Sequence, residues 1–144
     1  NNRGIVPDAC SSWFLPKIVG ISRALELTYS GRIIDAQEAL QLNLVSSIHD
    51  SEKLLSNALD ITKKMVQNSA PVSISLTRQM LWRSLESSGP YDAHVIESKA
   101  IDSRGASEDA KEGVSSFLEK RPAEFKNKVS SDMPEFFPWW KDTN

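Results

Sequence analysis

The sequence predicts a mostly α-helical chain with one or two short strands. Three observations carry this expectation. Apolar residues recur at helical spacing in several separate windows, as at Leu54, Leu55, Ala58, Ile61, Met65 and Val66. Most windows are bracketed by start residues such as Ser or Asp and by stop residues such as Gly or Pro. The entry before Pro7 reads as extended, while helical patterning fills most of the rest. With 144 residues, 40% apolar and 25% charged, the chain suits one globular domain or one large piece of a domain.

The first element is set by a proline. Pro7 fixes its own φ and pushes Val6 toward an extended conformation, so Asp8 leaves a short strand-like entry at a defined angle. Ser12 is the expected N-cap of a helix over 13–19, with Pro16 inside it and Gly20 as its stop. Phe14, Leu15, Ile18 and Val19 form its expected buried side. A second, short helix follows Ser22, carries Ala24, Leu25 and Leu27, and ends before Gly31. Asp35 and Glu38 then form a capping box for a third helix, with Ala36, Ala39 and Leu40 inward and Asn43 closing it.

Residues 51–68 spell an amphipathic helix of about four or five turns. Pro71 opens the next helix, whose apolar set Val72, Ile74, Leu76, Met80, Leu81 and Trp82 is broad enough to be mostly buried. Methionine and tryptophan there read as core filling rather than a cofactor box. Ser87-Ser88-Gly89-Pro90 ends it. A helix over 91–103 places Val95, Ile96, Ala100 and Ile101 inward and stops at Gly105, with Glu97, Asp102 and Arg104 as solvated or interface charges. The last helix starts near Ser107, holds Glu108 and Asp109 where the macrodipole favours anions, and ends with Lys120 and Arg121 before Pro122. Ala110, Val114, Phe117 and Leu118 share one face, so Phe117 on spacing alone is a core residue. The ending, through Phe136, Phe137, Trp139 and Trp140, would be sticky if free, so it should dock on this domain or on a neighbouring subunit.

A net charge of −2 and a pI near 5.7 leave no electrostatic footprint for nucleic acid. No apolar run is long enough to span a bilayer and no signal-peptide pattern opens the chain, so a soluble intracellular protein is expected. Cys10 is the single cysteine, which rules out an internal disulfide and reads as a small packed hydrophobe. His49 and His94 lack partners at ligand spacing, so no metal site is expected. Ser11-Ser12 lacks a nucleophile elbow and a placed histidine. No repeat of fixed period is present. Asn1 is not a methionine, which suggests processing, proteolysis or a deliberate cut.

For Asp8 two readings stand side by side. As a turn residue, its carboxylate would accept a nearby backbone N–H. The other reading comes from a resemblance. Gly4, Pro7, Asp8, Leu15, Pro16, Val19 and Gly20 resemble a segment of the crotonase superfamily, also called the enoyl-CoA hydratase/isomerase family. Gly31, Ala36, Glu38, Ala39, Leu44 and Val45 match its next segment, with Asn43 where glycine is usual, and that segment leads to a short strand, which the resemblance places at Val45–His49. Asp109-Ala110-Lys111-Glu112-Gly113-Val114 followed by Phe117-Leu118-Glu119-Lys120-Arg121 resembles its carboxy-terminal signature. The resemblance covers nearly the whole chain, its specific motifs lying in 4–49 and 106–125.

That resemblance implies the C-terminal part of a crotonase-like (ClpP/crotonase) α/β spiral fold. Residues 1–49 would be the end of the spiral core with the first helices, and 50–144 a helical oligomerisation region with an aromatic tail. It implies an enoyl-CoA hydratase or isomerase of fatty-acid or aromatic-acid CoA metabolism, working through a thioester enolate. Asp8 would be its acid/base group. Coenzyme A would enter as the substrate thioester rather than as a covalently bound cofactor, with Phe117 against adenine and Lys120 against a phosphate of a molecule bound to a neighbouring subunit. The oxyanion donors, and the glutamates that would mark a hydratase, would lie before Asn1. Implied partners are a trimer, a dimer of trimers or the missing N-terminal half, in the cytoplasm or, in a eukaryote, in mitochondria or peroxisomes. The competing reading is a cut oligomerisation domain with no turnover of its own.

Overall fold

A computed structural model describes residues 4–140. Its ordered elements are seven α-helices and a single 3-10 turn, in two units that meet in sequence at Ala58 and Leu59. Among the described residues there is no strand. The expected strand Val45–His49 is instead bends and irregular backbone, because no strand among the described residues lies beside it and the Val45 N–H turns back to the Ala39 carbonyl at 3.3 Å.

In the first unit, α1 spans Ser11–Val19, α2 Ile21–Ser30 and α3 Ala36–Gln41. Two starts differ from expectation. Ala9 and Cys10 are left-handed, at φ 50° and 59°, and turn the chain so sharply that α1 begins at Ser11 with Cys10 rather than Ser12 at its cap. Gly20, at φ 80°, ends α1 and also caps α2, so Ser22 lies inside a helix that already starts at Ile21. The ends at Gly31 and Asn43 are as expected, with φ 58° and 57°. Asp35 caps α3 by accepting the Glu38 N–H at 2.7 Å. The box is half formed, since the Glu38 carboxylate turns away to Arg32, which also holds Glu26 at 2.9 Å. The Arg23 guanidinium and then that of Arg32 draw the Glu26 carboxyl below its usual range, and Arg32 does the same to Glu38.

Helices α1 and α2 pack together, yet among the described residues of this unit only Ala24 and Ala39 are buried. The expected inward residues Phe14, Ile18, Leu25 and Ala36 are exposed, and so is Cys10. Helical period reports which side is apolar, whereas burial needs a second surface, and these short helices supply too little of one. After the irregular segment the His49 ring bridges Ser47 at 2.8 Å and Asn57 at 3.0 Å, tying 47–49 to the start of α4.

Helix α4, Leu54–Val66, follows a 3-10 turn at Ser51–Lys53 and buries no residue, contrary to its amphipathic pattern. In the second unit α5 spans Pro71–Ser84, α6 Pro90–Gly105 and α7 Glu108–Glu119, each packed on the next. Pro71 and Pro90 occupy first helical positions, where a missing N–H costs no bond. Val72 and Leu76 are fully buried, worth about 1.5–3 kcal/mol each, and Ala100 joins them from α6. The broad apolar face assigned to α5 narrows, leaving Leu81 and Trp82 exposed, as is Ile101 on α6. Gly105 is the last helical residue rather than a stop, the chain turning one residue later at Ala106.

Ser107 caps α7 by accepting the Ala110 N–H at 3.2 Å. The face that α7 buries is the one carrying Asp109 and Ser116, with Gly113 beside the strap, not the apolar stripe of Val114, Phe117 and Leu118. The cause is the strap, residues 122–140, which lies across that polar side. Phe125 sits 3.7 Å from where a Gly113 Cβ would stand. The aromatic ending docks on its own unit, the first of the two options that the sequence left open. Phe137 meets Trp140 edge to face at 5.3 Å, and Trp140 lies under the Arg83 guanidinium at 4.3 Å.

Candidate functional site

Asp8 sits in the irregular entry to α1, and its surroundings follow from the backbone. Its carbonyl accepts the Ser11 N–H at 2.9 Å and the Ser11 hydroxyl at 2.6 Å. The Cys10 carbonyl takes the N–H groups of Trp13 and Phe14 at 2.9 and 3.1 Å. Main chain thus closes this turn. The Asp8 carboxylate has no hydrogen bond or ion pair among the described residues, so the turn-residue reading of its side chain fails. It stands exposed, as do Ile5 and Val6 before it and Phe14 in α1. Trp13, whose ring meets Phe14 edge to face at 4.7 Å, lies under the Lys17 ammonium at 4.1 Å.

Phe117 and Lys120 belong to the second unit. Phe117 is 82% exposed, which overturns its expected core position. Lys120 is the left-handed C-cap of α7 at φ 54°, so the backbone leaves the helix there and the two side chains do not share a continuous helical side. Asp8 belongs to the first unit and this pair to the second, where the Lys120 N–H donates to the Phe117 carbonyl at 3.3 Å. Among the described residues no three His, Cys, Asp or Glu side chains gather as a metal site would.

Sequence reasoning missed a polar clamp under the strap. Asp109, 3% exposed, accepts the N–H of Lys126 at 2.9 Å and of Asn127 at 3.1 Å through Oδ1, leaving Oδ2 buried without a partner. Arg104, expected to be a solvated or interface charge, donates to the Asn127 side chain and to the Asp132 carbonyl. Glu112 receives Arg121 in a two-point pair at 2.6 and 2.9 Å and the Glu124 N–H at 2.7 Å. The Arg121 guanidinium and then that N–H hold its carboxyl down at about 2. No local signal announces these bonds, because most partners lie 9 to 28 residues apart.

Among the described residues the chain is thus seven helices, with a proline-preceded carboxylate at the entry to the first and an exposed aromatic on the last. The chain belongs to the enoyl-CoA hydratase/isomerase family, whose pattern it matches over residues 1–128, within the crotonase superfamily. It is 38% identical over 134 residues to the enoyl-CoA hydratase ACTT3 of Alternaria alternata, covering 92% of this chain and 45% of that protein. It is 33% identical over 126 residues to the short-chain-enoyl-CoA hydratase of Clostridium acetobutylicum, covering 87% and 48%. The crystal structure of enoyl-CoA hydratase from Bacillus anthracis superimposes with a TM-score of 0.81 at 28% identity, covering 88% of this chain and 48% of that one. The chain thus spans about half the length of the relatives it matches. No helix among the described residues is long and apolar enough to cross a membrane.

Proposed function

We propose that the chain is the C-terminal portion of an acyl-CoA enzyme that moves a proton beside a thioester through an enolate, with Asp8 as its acid/base group. The observation that carries this reading is the unengaged Asp8 carboxylate, held by main-chain bonds at a position that matches the family motif. A carboxylate already satisfied by backbone N–H groups would be a weaker base. Two N–H donors for the thioester oxyanion, the largest electrostatic contribution in such reactions, are assigned to the segment that corresponds to the relatives' other half. Phe117 would stack on adenine and Lys120 pair with a phosphate of coenzyme A held by a neighbouring subunit of a trimer or dimer of trimers. The exposure of both side chains supports that role.

A second reading is an oligomerisation module with no turnover of its own. It is favoured by the uncovered apolar residues of α1, α4 and α7. The test uses the full-length parent with two substrates. Loss of conjugated enoyl absorbance from a trans-2-enoyl-CoA reports hydration, and its gain from a 3-enoyl-CoA reports isomerisation. Asp8→Asn should lower kcat by about 10²–10⁴-fold with KM little changed. Near-normal turnover in that variant removes Asp8 from the chemistry. Absence of both activities in the unaltered parent favours the second reading.

A further inference from the structure

Between α5 and α6 lies a cavity of about 420 Å³, within the size range of small-molecule pockets. Its apolar walls are Met80 and Leu81 from α5, Val95 and Ile96 from α6, and Trp139 from the strap. The position of Trp139 is fixed from both directions along the chain. Upstream, Asp109 and Arg104 grip 126–132; downstream, Trp140 is pinned under Arg83. A wall held in this way exists before any ligand arrives, which lowers the ordering cost of binding.

The charges that line this cavity are Arg83, Asp92 and Glu97. Arg83 is engaged by the Trp140 ring and by Glu86 at 3.5 Å. Asp92 and Glu97 have no hydrogen bond or ion pair among the described residues, and on α6 they flank the ridge of Ala93 and Ile96. The cavity therefore combines an apolar floor, an aromatic wall and two uncommitted carboxylates. That combination repels an anion and attracts a cation whose body is apolar. We propose that the cavity between α5, α6 and Trp139 binds a small aryl- or alkylammonium ligand. This site is independent of the reaction assigned to Asp8, whose phosphate-bearing substrate the two carboxylates would disfavour.

The test follows the indole N–H signals of Trp139 and Trp140 by NMR in the whole chain, with Trp13 of the first unit as internal control. The probes are benzyltrimethylammonium, benzyl alcohol and benzoate, which share a ring and differ in charge. The ammonium should move Trp139 and Trp140 but not Trp13, and bind about tenfold more tightly than the alcohol, with benzoate weaker still. The double variant Asp92→Asn, Glu97→Gln should bring the ammonium down to the level of the alcohol. Benzoate binding as tightly as the ammonium, the preference surviving in the double variant, or an unmoved Trp139 signal would each overturn the proposal.

Discussion

Replacing Asp109 by alanine tests whether the strap is held by a buried carboxylate or merely laid down by its aromatics. Oδ1 accepts two backbone N–H groups, from Lys126 and Asn127, at a side chain 3% exposed. Alanine leaves both donors without a partner, and each buried unsatisfied donor costs about 1–3 kcal/mol. Lost contact between the anion and the first turn of α7 adds about 0.3–1 kcal/mol. The expected loss is about 2–7 kcal/mol, at about 4–8 °C in Tm per kcal/mol for a unit of this size. Asparagine discriminates, because it keeps the Oδ1 acceptor and alters only Oδ2, which has no partner. Asp109→Asn should therefore cost less than half as much as Asp109→Ala. Denaturant unfolding gives both values, and hydrogen exchange at the Lys126 and Asn127 amides reports the local effect. A loss in the alanine variant below about 0.5 kcal/mol, with those amides still protected, would refute the clamp.

Two further outcomes follow from the same geometry. The Glu112 carboxyl is held at about 2, below its ordinary 4.5, so its contribution is present above pH 4.5 and is lost as pH falls through 2. Glu112→Gln should flatten the acid limb of a stability–pH profile over that window while leaving the rest of its shape unchanged; an unaltered limb would mean that the Arg121 pair does not form in solution. Leu76→Ala should cost about 2–5 kcal/mol in chemical denaturation, because the side chain is 1% exposed, whereas Leu81→Ala, 66% exposed, should cost far less.

Caps and turns were legible in the sequence because their chemistry is local. Asp35, Gly31, Asn43, Pro71 and Ser107 all act within a few residues of themselves. Ser12 and Ser22 misled for an equally local reason, since the left-handed pair at Ala9 and Cys10 and the double use of Gly20 start helices before either serine. Burial was less legible. The stripe of Val114, Phe117 and Leu118 is regular, yet the strap covers the opposite side of α7, a choice made by Asp109 and Gly113 together with residues far along the chain. The Asp8 position was visible through its motif, but the freedom of its carboxylate depended on Ser11 using main chain instead.

The left-handed pair has a mechanical consequence. Non-glycine residues in that region cost roughly 1–2 kcal/mol each, a tension that only an intact α1 can keep wound. Fraying of that helix lets Ala9 and Cys10 spring back to ordinary φ, and the preceding acid swings with them. The bearing of Asp8 therefore rests on the first turn of the helix that follows it as well as on Pro7 before it.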